Sequence, residues 1–414
     1  MKYLIKNMGF LFFAQLCAYL IPILEIPVLA RALGVQEYGK VVLIQSIALM
    51  SSLIVEYGFS LSGSRQVAIA RDDKGELSRI YGEVFSAKLI IVLIVLLCSA
   101  VLYILNGSLF FDGPLVFFGF IYFLAFGFSP FWFFQGLEKI SVVVILEVIL
   151  RFASLIFLYW FVKDEGGAKL ALGIMVGFGL LNTFVGNVMC IKRVGKIRLC
   201  LFGGIQQLRV GFHVFIYKSS NNILLSAGPS LVGATSGHVA VASYVPAEKI
   251  IRGFVGFVNP ILIGFFPYLN RQYRSSRDNT IRLSLMIVAG MFAMGILAAG
   301  SIFFVGDFLI QAVLGSGFII ASSILKIFVW IIPFRLANQA IGLCILIPMG
   351  RDKITSGFMM FFSIMSMLFA TLLSIWYGVN GIVMGFVITE ACLLLALIFV
   401  VVDITIKSSG EVKL

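Results

Sequence analysis

Apolar runs of about 20 residues, each long enough to carry a helix across a hydrocarbon core about 30 Å thick, follow one another along this entire chain. No other feature restricts the fold so tightly. In lipid every backbone N–H and C=O must be bonded internally, which leaves helices or closed barrels. Barrel strands alternate apolar and polar residues over about ten positions, whereas these runs are continuous. With 61% hydrophobic and 12% charged residues and a mean hydropathy of +1.08, a 414-residue chain holds more apolar surface than a water-soluble protein can hide. The fold class is therefore an all-α polytopic membrane protein.

Twelve transmembrane helices are expected, at 4–30, 41–63, 83–105, 115–135, 142–162, 170–191, 211–235, 240–268, 283–305, 320–348, 355–376 and 380–402. The first run opens like a secretory signal, with Lys2 and Lys6, but continues past an h-region and lacks a small-x-small site, so it reads as a retained span. The seventh is interrupted by the polar run KSSNN at 218–222. The termini and even-numbered loops carry 20 of the 31 basic residues, while the odd-numbered loops hold only Arg31, Lys40, Lys163 and Lys169. The positive-inside rule then places both termini in the cytoplasm. The net charge of +12 is explained by orientation, and no nucleic-acid partner is implied.

The long connection at 192–211 falls at the midpoint, and the halves echo each other. GLEK at 136–139 is matched by GRDK at 350–353, and GIMVGF at 173–178 by GIVMGF at 381–386, at equivalent span positions. A duplicated six-span unit predicts two six-helix lobes, residues 1–200 and 201–414, related by a pseudo-two-fold axis along the membrane normal. In that arrangement the substrate route lies where the lobes meet.

Charges inside spans are costly, about 2.5–3.5 kcal/mol each at mid-depth even on the gentler scales. The stretch Tyr244 to Arg271 holds three in its first half: Tyr244, Glu248 and Arg252 recur at four-residue steps, Lys249 adjoins them, and Asn259 continues roughly the same face. Pro246, Pro260 and Pro267 predict a bent or broken helix there. Lys218 beside Asn222, Arg335 beside Pro333, and Arg31 and Arg65 at span ends are further candidate contacts for an anionic cargo, phosphate above all, which arginine holds bidentately. Glu25, Glu56 and Glu248 are candidate ion-coupling carboxylates. Glu147 and Arg151 read as a structural pair, Lys88 and Lys326 as snorkelling lysines, and Glu390 has no assignable partner in sequence. Six cysteines form no CxxC pair and His213 and His238 no ligand cluster, so neither a metal site nor a cofactor is expected. P-loop and GxSxG signatures are missing, which excludes the commonest enzyme classes they mark.

PVLARALGVQEYGKV at 27–41, EYGFSLSGSRQVAIAR at 56–71, PFWFFQGLEKIS at 130–141, PAEKIIRGFVGFVNPILIGFFPYLNR at 246–271 and ILIPMGRDK at 345–353 resemble the polysaccharide (O-antigen) flippases. These form the Wzx-type branch of the multidrug/oligosaccharidyl-lipid/polysaccharide exporter superfamily. The resemblance implies a bacterial inner-membrane transporter, not an enzyme. It would turn an undecaprenyl-diphosphate-linked oligosaccharide from the cytoplasmic to the periplasmic leaflet by alternating access, coupled to H⁺ or Na⁺ and working beside a glycan polymerase among membrane lipids. On the matching motif positions it implies roles for Arg31, Glu56, Arg65, Glu248, Lys249 and Arg252. The alternatives are a multidrug or metabolite antiporter of the same superfamily, or a non-transporting assembly factor of the glycan machinery.

Overall fold

The computed structural model describes residues 2–106 and 113–410, and among them every regular element is helical. In order they are α1 (Lys2–Glu56), α2 (Phe59–Ile69), α3 (Lys74–Asn106), α4 (Gly113–Gly127), α5 (Phe131–Gly136), α6 (Ile140–Phe161), α7 (Ala168–Val194), α8 (Leu201–Ser226), α9 (Gly228–Ser275), α10 (Arg277–Leu314), α11 (Ile319–Phe328), α12 (Ile331–Ile341) and α13 (Asp352–Gly410). A π-helical turn, Gly342–Leu346, extends α12. Among the described residues nine helical stretches are long and apolar enough to cross a membrane. Their outward faces carry large apolar side chains such as Leu97, Phe304, Trp376 and Phe399, each well over half exposed; lipid is the solvent that suits them.

The chain forms two compact units, Met1–Ser230 and Leu231–Leu414. In the first, α1 packs on α4 and α6, α4 on α7, α2 on α5, and α3 on α8. In the second, α10 packs on α11 and α12, and α13 on both of those. The core of the second unit gathers Ala337, Ile341, Ile345 and Leu346 against Leu393, Leu394, Leu397 and Val401.

Breaks within the long helices fall at glycine and not at proline. α9 stays helical through Pro246, Pro260 and Pro267, and α1 through Pro22 and Pro27. Carbonyls freed by proline in a membrane protein can be re-satisfied by neighbours, so the expected break of the Tyr244–Arg271 stretch does not occur. Instead α1 kinks at Gly34 (φ 66°), α9 at Gly237 (φ 80°) and α13 at Gly378 (φ 56°), backbone settings that an L side chain enters only with strain. Residues 31–40, expected to form a loop, are therefore helical on both sides of Gly34. Beyond Gly378 the two arms of α13 lie backbone to backbone. A Cβ on Gly381 would sit 2.1 Å from the Leu373 carbonyl oxygen, and one on Gly385 2.7 Å from Ala370 Cα. Small residues four apart permit that approach in lipid.

Two polar residues hold shorter breaks. Glu56 accepts hydrogen bonds from the Ser60 (2.8 Å) and Gly58 (3.2 Å) amides, closing the start of α2 after a left-handed turn at Tyr57 and Gly58. Lys88 does not snorkel. It is 2% exposed, and its ammonium donates to the carbonyls of Gly127 (2.9 Å) and Ser129 (3.2 Å). α4 ends there with orphan acceptors, and the lysine is drawn inward because nothing in lipid would satisfy them.

Candidate functional site

In the second unit, the four-residue spacing of Tyr244, Glu248 and Arg252 puts all three on one face of α9. Tyr244, 1% exposed, lies against Phe328 of α11 with ring centres 5.6 Å apart. Glu248, 6% exposed, accepts from Arg252 at 2.5 Å. The Arg252 Nε, also buried, has no hydrogen-bond partner. A second pair stands across α12 and α13. Arg335 reaches Glu390 at 3.5 Å, and Asn338 Nδ2 donates to the same carboxylate at 2.7 Å and to its backbone carbonyl at 3.0 Å. Glu390 thus gains the partners that its own stretch of sequence lacks.

Lys249, Arg252 and Arg335 all fall within electrostatic reach of the Glu248 carboxylate. The cluster thus sets these three cations beside two carboxylates, Glu248 and Glu390. Oriented acceptors also remain: Asn338 Oδ1 and Gln339 Oε1 are buried without a hydrogen-bond partner among the described residues. The cations of such a group can be re-sorted onto an incoming anion, because the pairs are only partly satisfied.

The first unit encloses a separate cavity of about 80 Å³, walled by Glu25, Gln45, Tyr122, Glu147, Arg151 and Asn182 among others. Glu147 and Arg151 are ion-paired at 2.7 Å as their i, i+4 spacing predicts, and the guanidinium also lies 5.7 Å from the Phe126 ring centre. Gln45 turns its amide to the Met175 sulfur at 3.0 Å. Glu25 makes no ion pair or hydrogen bond among the described residues, and Asn182 Oδ1 is a buried acceptor without a partner. Two unused acceptors on one small cavity form a setting for a cation or a proton.

Of the residues singled out in the sequence, the structure thus gathers Glu248, Lys249, Arg252 and Arg335 in one cluster. Asn259 lies half-buried further along α9. Glu25 lines the first unit's cavity, and Glu56 caps α2 beside a second cleft shared with Ser60, Trp132 and Gln135. Arg31, just before Gly34, and Arg65 on α2 are exposed. Lys218 and Asn222 fall on α8, which is helical through the KSSNN run, but their side chains lie outside the described residues. Sequence reasoning passed over Asn182 and left Glu390 unassigned. The signal for Asn182 was a polar Asn182–Thr183 step inside an apolar run.

A family model described as "Polysaccharide biosynthesis protein" matches residues 4–273. A Shigella dysenteriae protein described as "Putative O-antigen transporter" is 27% identical over 399 residues, covering 94% of this chain and 98% of its own. One of Escherichia coli K12 with the same description is 24% identical over 407 residues, covering 96% of each. Among solved structures, an inward-facing multidrug resistance MATE family transporter of the MOP superfamily superposes with a TM-score of 0.67 at 15% identity, over 93% of this chain and 95% of that one. The lipid II flippase MurJ, in an inward closed conformation, gives 0.67 at 15% identity over 96% and 87%. At that identity the likeness establishes the fold.

Proposed function

The chain belongs to the polysaccharide biosynthesis protein family, and from that membership we propose that it is a flippase of a lipid-linked oligosaccharide. The observation that carries this reading is the end-to-end likeness to two proteins described as O-antigen transporters, on a fold shared with transporters. The cargo is an undecaprenyl-diphosphate-linked glycan repeat unit, moved from the cytoplasmic to the periplasmic leaflet of a bacterial inner membrane. Its diphosphate is held by Lys249, Arg252 and Arg335, which gather beside Glu248 and Glu390. Asn259 extends that face.

The chain crosses the membrane twelve times with both termini in the cytoplasm, in two six-span lobes, residues 1–200 and 201–414. Support for the number comes from the nine stretches. Gly34 and Gly378 each divide one into two spans, and α8 continued by residues 228–236 supplies the seventh. Ion coupling resides at Glu25, whose carboxylate faces the small cavity with Asn182. One charge moved through the membrane potential yields about 2.3 kcal/mol per 100 mV, enough to bias alternating access.

The test is transbilayer movement of a labelled polyprenyl-diphosphate oligosaccharide in liposomes holding the purified protein. Wild type should flip it, and Ala at both Lys249 and Arg252 should abolish flipping while the protein still inserts. Full movement in that double variant would remove the site assignment. Efflux of organic cations with no movement of the lipid would favour the antiporter alternative.

A further inference from the structure

Along α3, α4 and α7 of the first unit runs an open-sided groove of about 580 Å³, well within the roughly 300–1,000 Å³ of ligand sites. Phe85, Leu124, Phe128, Leu180, Phe184 and Ile191 supply its walls. The polar groups on those walls are turned onto one another. Tyr81 donates to Asn187 Oδ1, and Asn187 Nδ2 donates to the carbonyls of Thr183 (2.7 Å) and Phe128 (3.1 Å). Thr183 in turn donates to the Ala125 carbonyl. What remains for an occupant is an apolar surface that suits a hydrocarbon chain.

One edge of the groove is the segment that follows α7, where Ile197 and Leu199 face inward to the lining. Its backbone is fastened to α3 at three successive turns. Ser78 donates to the Lys196 carbonyl, Cys200 N–H donates to Ser86 Oγ at 3.1 Å, and between them a Cβ on Gly82 would meet the Arg198 carbonyl at 2.2 Å. Only glycine lets the segment lie that close. Lys196 and Arg198 are exposed on this segment, flanking Ile197, and Lys192 and Arg193 are exposed on the last turn of α7; none of the four forms an ion pair among the described residues. Both Glu76 and Glu83 on the adjoining stretch of α3 are engaged by Arg79. Four unneutralised cations beside an apolar groove match a phosphate joined to an acyl chain, and basic pockets between membrane helices on the cytoplasmic side bind anionic headgroups.

We propose that this groove is a binding site for an anionic phospholipid, its phosphate among Lys192, Arg193, Lys196 and Arg198 and one acyl chain against Leu180 and Phe184. The site is distinct from the cation cluster of the second unit, and it does not depend on which glycan is carried. In the orientation proposed above, the lipid comes from the cytoplasmic leaflet.

The full chain, purified in nanodiscs holding equal phosphatidylglycerol and phosphatidylcholine, is released and weighed by native mass spectrometry. Wild type should retain phosphatidylglycerol selectively. Lys196→Ala with Arg198→Ala, both at exposed positions, should lower its apparent affinity about 30-fold, the amount expected from losing two surface cations. Leu180→Trp should fill the groove and lose the lipid with the basic edge intact. Equal retention of the two phospholipids, or phosphatidylglycerol retention unchanged in both variants, overturns the assignment. So does selective retention of an added polyprenyl diphosphate in place of phosphatidylglycerol, which would make the groove part of the cargo route.

Discussion

Arg335 and Glu390 stand 3.5 Å apart and are 13% and 7% exposed, so removing one partner leaves the other charged in a poor medium for it. Arg335→Met should destabilise the protein by about 3–5 kcal/mol, and Arg335→Met with Glu390→Gln by much less, as read from thermal unfolding in detergent. A double-variant loss equal to the sum of the Arg335→Met and Glu390→Gln losses would mean that the two groups act independently. At Lys88 the expected cost of replacement by Met is about 1.5–3 kcal/mol, since a charged donor to the Gly127 and Ser129 carbonyls disappears. The same unfolding measurement checks it. Individual charges were only partly legible beforehand. The pair of Glu147 with Arg151 follows from spacing alone; Glu248 and Arg252 share that spacing but read in the sequence as groups of a polar cavity, and the structure pairs them as well. The partners of Lys88 and Glu390 do not follow from spacing, because each is satisfied by a helix remote in sequence, and periodicity carries no information about which helices meet.

For the helices, apolar run length located the membrane-crossing stretches well, since a spanning segment has almost no other composition available to it. The interruptions were harder to read. Proline weakens a helix in any setting, yet here proline sits inside unbroken helix while Gly34, Gly237 and Gly378 take the kinks. What distinguishes them is the sign of φ, which sequence alone does not display. The echoed motifs GIMVGF and GIVMGF also part company in packing: Gly381 and Gly385 lie against the Leu373 and Ala370 backbones, whereas a Cβ on Gly173, the counterpart of Gly381, would meet only the Phe118 ring at 3.5 Å, and one on Gly177, the counterpart of Gly385, nothing within 4 Å. Gly381→Ala should therefore force the arms of α13 apart and cost about 1–3 kcal/mol. Gly177→Ala should be neutral or slightly stabilising through helix propensity. Melting temperatures of the two variants, compared side by side, decide the matter.

Across the molecule the basic residues lie unevenly enough to fix a direction of insertion. A fluorescent protein fused after Leu414 should mature in the cytoplasm, and an alkaline phosphatase placed there should be inactive; the reverse outcome would invert the proposed topology. If the cavity of the first unit couples an ion, Glu25→Gln should leave gradient-independent flipping in liposomes and erase its acceleration by H⁺ or Na⁺ gradients. Acceleration retained in that variant would take the coupling elsewhere. The helix-to-helix junctions at Gly34 and Gly378 bear on how the protein can be handled. Helix joins helix there through a single residue, so no slack chain is offered to a protease, an inserted epitope tag or a raised antibody. Reagents meant to grip this transporter from outside need to be aimed at the segments where the backbone leaves the helix for longer.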